Sequence, residues 1–203
     1  MQNSSDDLNL SLPKTAQERG KVAPVKLAHL ALRTEQLTVM TAWYCTVLEA
    51  EIAQGMPQAA FLTYDEEHHR IALLQSPGLE TAPGNAKGVD HVSFTYAGLD
   101  QLIATYERLL LEDIRPFWCI NHGPTLSMYY ADPDGNHVEL QIDIFATPAE
   151  TNDWLINSDF GTNPIGVKFD PAELISRYRS GEPADKLLER PRIQPQDVPA
   201  QLP

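Results

Sequence analysis

Three metal-binding side chains fall at related places in this chain. His29 lies in KLAHLALRTEQLTVMTAWYCTVLEAEI, residues 26–52, and His91 in GVDHVSFTYAGLDQLIATYERLLLEDI, residues 88–114. The two stretches overlay without a gap, 62 residues apart (29 to 91), and agree at His29/His91, Leu37/Leu99, Ala42/Ala104, Tyr44/Tyr106, Leu48/Leu110 and Ile52/Ile114. An internal repeat of this kind precedes any reading of the fold. The third residue is Glu139. Overlaying Arg70-Ile71-Ala72-Leu73 on His137-Val138-Glu139-Leu140 puts Ala72 where the second copy has Glu139. If the four equivalent positions face one centre, two imidazoles and a carboxylate share it with an alanine. That donor set, with coordination positions left open, suits non-haem Fe(II) acting on dioxygen, and its ligand types also fit Mn(II) or Zn(II).

Groups able to move protons surround the same positions. His68 and His69 open a strand, His122 lies in the loop Asn121-His122-Gly123-Pro124, and Tyr129 lies ten residues before Glu139, across a hairpin from it. A metal-bound substrate that loses and regains protons needs such neighbours. The aromatic residues Phe61, Tyr64, Phe94, Phe117 and Trp118 are candidates to wall an apolar pocket or to serve as plain core.

The elements that must position these residues follow from periodicity. Val25–Arg33 alternates as a strand, and Glu35–Leu48 then changes to helical spacing with Leu37, Met40, Tyr44 and Val47 on one stripe. Gly55 and Pro57 break the chain, and Ala59–Tyr64 and His69–Gln75 read as strands. The second unit repeats the order: strand Val89–Tyr96, helix Leu99–Glu112, then strands Phe117–Ile120, Thr125–Ala131 and His137–Ile142. Asp132-Pro133-Asp134-Gly135-Asn136 supplies the turn before the last of them. The fold class is therefore α+β, two βαβββ modules over 25–77 and 89–144. A Pro/Gly-rich connector (78–88) joins them, with a flexible arm (1–24) before and a helical extension with a Pro-rich tail (145–203) after. Helices are expected near Pro148–Asn157 and Asp170–Ser180.

A net charge of −13 argues against nucleic acid or an anionic membrane as partner, because both attract a basic surface. There is no run of 18 apolar residues and no apolar signal sequence at the N-terminus. Cys45 and Cys119 read as thiols rather than a disulfide, and a cytoplasmic protein is expected.

A duplicated βαβββ unit with a histidine in the first strand of each copy, closing on DPDGNHVELQ, resembles the vicinal oxygen chelate superfamily. Its members include glyoxalase I, methylmalonyl-CoA epimerase, bleomycin-resistance proteins and type I extradiol ring-cleaving dioxygenases. The apolar Ala72 position and the stretch Asp65-Glu66-Glu67-His68-His69-Arg70-Ile71-Ala72-Leu73 look like the dioxygenases, and the chain is most like a one-domain member. The resemblance implies a mixed-sheet metal-binding cup in which His29, His91 and Glu139 hold Fe(II), or Mn(II). It implies His69 as acid–base residue, Tyr129 as the tyrosine that hydrogen-bonds a substrate oxygen, and His122 as a second active-site histidine. The substrates would be a small catechol-type aromatic diol and dioxygen, cleaved beside the diol, and the protein a homo-oligomer. Two rivals share the fold: an isomerase or lyase of the glyoxalase or epimerase kind, which Ala72 disfavours, and a non-catalytic small-molecule binder.

Overall fold

A computed structural model describes residues 20, 23–80 and 87–192. The expected N-terminal arm, the middle of the connector and the end of the Pro-rich tail lie largely outside those residues. The first module runs β1 (Leu30–Thr34), α1 (Leu37–Leu48), β2 (Glu51–Met56), β3 (Ala59–Thr63) and β4 (Ile71–Gln75). The second runs β5 (His91–Tyr96), α2 (Leu99–Leu111), β6 (Trp118–Asn121), β7 (Thr125–Ala131) and β8 (His137–Asp143). The extension adds α3 (Pro148–Asn157), β9 (Val167–Lys168), α4 (Pro171–Arg179) and α5 (Ala184–Leu188).

Each module builds its own mixed sheet, in the order β1-β4-β3-β2 and β5-β8-β7-β6-β9. The first and last strands of a module pair in parallel, and the other pairings are antiparallel. The parallel registers match across the repeat: Ala31 stands beside Ala72, and Ser93 beside Glu139. Overlaying Ala72 on Glu139 therefore reproduces the pairing.

The helical stripes explain why the sheets stay together. Met40, Tyr44 and Val47 on α1 and Leu99, Leu102, Tyr106 and Leu109 on α2 are buried in one core with Leu62, Leu73, Leu126 and Leu140. Each fully buried aliphatic side chain of this kind contributes roughly 1.5–3 kcal/mol. Polar ties among the described residues also join the modules. The buried Tyr44 hydroxyl donates to Asp132 Oδ2 at 3.0 Å. Burial and then the Asp132 carboxylate push that phenol far above its usual range, so it stays a donor. Asp132 Oδ1 in turn accepts from the backbone N–H groups of Asp134 and Asn136, which closes the turn where Gly135 takes a φ of 86°. Arg108 of α2 donates to the last carbonyls of α1, those of Thr46 and Val47, where the orphan acceptors of a helix end favour a cation.

Several expected boundaries move. The first ladder begins at Leu30, not Val25, because the Arg70 guanidinium takes the carbonyls of Leu27 and Ala28 at 2.6 and 3.1 Å. His29 is thus exposed chain just before the strand. β4 begins at Ile71, β5 at His91 and β6 at Trp118, which leaves His69, Val89 and Phe117 outside their strands. β2 completes the βαβββ order expected of the first module, but no residues are assigned to it from the sequence: all six are exposed, so it lacks the buried alternation that reveals a strand. β9 and α5, two and five residues long, also went unseen.

Candidate metal and proton-transfer site

Glu139 is the most informative residue of the second sheet. It sits on the central strand β8, between β5 and β7, with Ser93 beside it on one side and Tyr129 on the other. Its residue exposure is 4%. The ion-pair partners of this buried carboxyl, among the described residues, are two imidazoles: His91 Nε2 at 3.2 Å and His122 Nε2 at 3.9 Å. No Lys or Arg pairs with it there. A buried carboxylate without a permanent cation is expensive, and that expense is what a metal ion would offset.

The imidazoles are oriented from behind. His91 Nδ1 lies 2.6 Å from Asp90 Oδ2, which marks Nδ1 as the protonated nitrogen and leaves Nε2 facing Glu139. His122 Nδ1 bonds the Ile165 carbonyl, so its Nε2 is the acceptor, 3.0 Å from the Tyr129 hydroxyl. Burial lowers the pKa of His122 against the opposing pull of the Ile165 carbonyl and Glu139, which keeps the ring neutral near pH 7. Burial first and Glu139 second raise that of Tyr129 well above the phenolic range, so it remains a hydrogen-bond donor. Trp118 and Phe117 flank it, with ring centroids 5.0 and 6.3 Å from that of Tyr129.

The remaining candidates gather elsewhere. The rings of His29 and His69 lie 4.4 Å apart, His68 Nδ1 is 2.6 Å from His69 Nδ1, and Phe61 meets His69 edge-on at 5.1 Å. Burial, then the neighbouring His29 and His68 rings, depress the pKa of His69. Tyr64 and Phe94 touch across the modules, with centroids 5.9 Å apart. The structure thus brings His91, Glu139, His122 and Tyr129 together, and His29, His68 and His69 together. Among the described residues no three His, Cys, Asp or Glu side chains meet closely enough to hold a metal ion, so His29 is not drawn onto the His91–Glu139 pair. The cause is local: His29 belongs to the exposed segment that Arg70 holds by its carbonyls. Sequence reasoning missed Asp90, Ile165, Arg190 and Trp154. Only Asp90, adjacent to a candidate ligand, left a signal in the sequence.

The test of fit for a divalent metal is the donor chemistry. His91 and Glu139 fit, with an imidazole nitrogen and a carboxylate oxygen side by side and the Asp90 carboxylate behind the imidazole. No helix among the described residues is long and apolar enough to cross a membrane.

The chain is 43% identical to "Biphenyl-2,3-diol 1,2-dioxygenase 2" of Rhodococcus globerulus over 81% of this chain and 87% of that one. It is 45% identical to "Biphenyl-2,3-diol 1,2-dioxygenase 3" of the same organism, over 81% and 88%. Among solved structures it is similar to lactoylglutathione lyase from Agrobacterium tumefaciens, 21% identical, covering 59% of this chain and 94% of that one with a TM-score of 0.48. The model of one family matches residues 26–140, from four residues before β1 to the residue after Glu139. The first module and the second as far as the first four residues of β8, with the Ala31–Ala72 and Ser93–Glu139 pairs, fall inside that span, and the chain belongs to the Glyoxalase/Bleomycin resistance protein/Dioxygenase superfamily.

Proposed function

We propose that this protein is a type I extradiol dioxygenase, which opens a catechol-type aromatic ring beside its two hydroxyls and adds both atoms of dioxygen to the product. The observation that carries the reading is Glu139, buried with two imidazoles and a phenol while the mirrored position holds Ala72. Relatives 43–45% identical that are named biphenyl-2,3-diol 1,2-dioxygenases support the same reaction class, with biphenyl-2,3-diol as the first substrate to try. The alanine counts against an isomerase or lyase that would use a fourth metal-binding side chain.

The metal is assigned to His91, Glu139 and, through the repeat, His29, with Fe(II) preferred and Mn(II) as substitute. When bound, it supplies acidity to the diol hydroxyls and a path for electrons to dioxygen. The chain's own groups do the rest. Tyr129, held neutral with its own proton turned to His122 Nε2, offers its phenol oxygen as a hydrogen-bond partner to a substrate hydroxyl. His69 takes a proton from the diol and returns one as the ring opens. His122, neutral and with its Nε2 lone pair turned to Tyr129, keeps that phenol oriented. Asp90 fixes the His91 ring. The unpaired thiols of Cys45 and Cys119 support a cytoplasmic setting. The exposed β2 edge, with Ile52 and Met56, supports a homo-oligomer.

The experiment is anaerobic loading with Fe(II), then biphenyl-2,3-diol and a panel of catechols under air, following the yellow ring-opened product. Iron-dependent colour that falls in His69→Ala is the expected result. Stoichiometric iron without colour from any diol overturns the reading.

A further inference from the structure

The family match ends at Leu140, yet the chain beyond it reaches back to His122. The Arg190 side chain, 3% exposed, donates from Nη1 to the carbonyls of His122 and Asn163, each at 3.0 Å, and pairs through Nη2 with Asp159. Its guanidinium lies 4.9 Å from the centroid of the Trp154 ring. The same indole covers Gly123, where a Cβ would lie 1.9 Å from a ring carbon, so only glycine admits this approach. The buried Asn163 both accepts from Gly166 N–H at 2.8 Å and donates to Gly166 O at 3.1 Å. That holds Gly166 at a φ of 121°, where a Cβ would lie 2.4 Å from the Asn121 carbonyl. Pairing of Asn121 with Val167 adds the last constraint. The loop therefore approaches residues 121–122 closely enough for the Ile165 carbonyl to accept from His122 Nδ1.

We propose that the C-terminal extension is a positioning device for the active site, in which Arg190, Trp154 and Asn163 seat the Ile165 carbonyl that selects the Nδ1–H tautomer of His122. With that tautomer the Nε2 lone pair faces the Tyr129 hydroxyl at 3.0 Å and Tyr129 must donate. With the other tautomer Nε2–H would donate to the phenol oxygen, and the hydroxyl proton would turn from His122 to the Glu139 carboxylate. Arg190 touches no reacting atom; it acts through the backbone of His122. The catalytic consequence rests on the dioxygenase reading, whereas the tautomer itself does not.

The test is nitrogen-15 NMR of the histidine rings in the full chain before metal is added, with His122 assigned by its loss in His122→Gln. Wild type should show one protonated Nδ1 and one bare Nε2 at His122. Arg190→Gln should shift that ring to a tautomer mixture. Its kcat for diol cleavage should fall about tenfold to a hundredfold, the scale of a small misplacement near the chemistry, with KM within about twofold. Arg190→Lys should restore part of both, because it keeps the charge and loses the fork. Trp154→Phe, a milder change, carries the test if Arg190→Gln does not fold. A folded Arg190→Gln or Trp154→Phe with the wild-type His122 signature overturns the proposal, whatever happens to its stability or rate. If the wild type opens no diol, the dioxygenase reading fails alone, and the ring signature still decides the positioning role.

Discussion

In the first module the parallel pair β1–β4 sets Ala31 beside Ala72; in the second, β5–β8 sets Ser93 beside Glu139. The backbones do the same thing and the side chains do not. His29 is exposed at the mouth of its strand, while His91 is part of the β5 ladder and is backed by Asp90. The outer strands differ as well: β2 is an exposed edge, whereas its counterpart β6 is covered by β9 and buries Trp118, Ile120 and Asn121. Duplication supplied a common scaffold. Burial then concentrated in the copy whose last strand bears the carboxylate, because a site of buried charge needs walls that exclude water.

Breaking that asymmetry at its centre has the largest effect. Glu139→Ala should abolish ring cleavage and lower the iron retained after gel filtration; full iron occupancy with normal turnover would remove Glu139 from the site. Tyr129→Phe, which deletes one oriented hydroxyl, should cost about 10²–10³ in kcat, or roughly 3–4 kcal/mol of transition-state stabilisation, read by single-turnover kinetics. Ile120→Ala on β6 should destabilise the fold by about 2–4 kcal/mol, seen as an earlier urea midpoint, because a fully buried side chain leaves a cavity against Trp118 and Tyr129. Asp90→Asn should weaken iron affinity by about 10–100-fold by loosening the His91 ring; an unchanged titration would show the Asp90 contact to be incidental. The smallest change belongs to the other module: Ile52→Ala on exposed β2 should stay within ~0.5 kcal/mol of wild type in the same urea experiment. A larger loss would mean that β2 is covered, as in an oligomer.

Much of this was legible in the residues. Six identities at one spacing disclosed the repeat, and a separate overlay of the closing strands, 67 residues apart (72 to 139), set Ala72 against Glu139. Helix stripes were readable because Met40, Tyr44 and Val47, like Leu102, Tyr106 and Leu109, must face one core. What escaped has physical reasons. β2 has no buried face and so no alternation. The onset of β1 was misplaced because Arg70, forty-three residues from Leu27, consumes carbonyls that the alternating pattern assigned to a ladder. Asp90 could have been found, since it adjoins His91. Ile165 could not, for its role is played by a backbone carbonyl that any residue carries. Arg190 could not either, lying 68 residues from the carbonyl it grips.

That separation has a consequence in time. Ribosomes add roughly 5–20 residues per second, so the 68 residues between His122 and Arg190 correspond to about 3–14 s of elongation. Both sheets can be complete through β8 while the guanidinium that will clasp the His122 carbonyl has yet to be made. A nascent chain, or one cut short before residue 190, would hold the folded modules with the loop at His122 still ungripped.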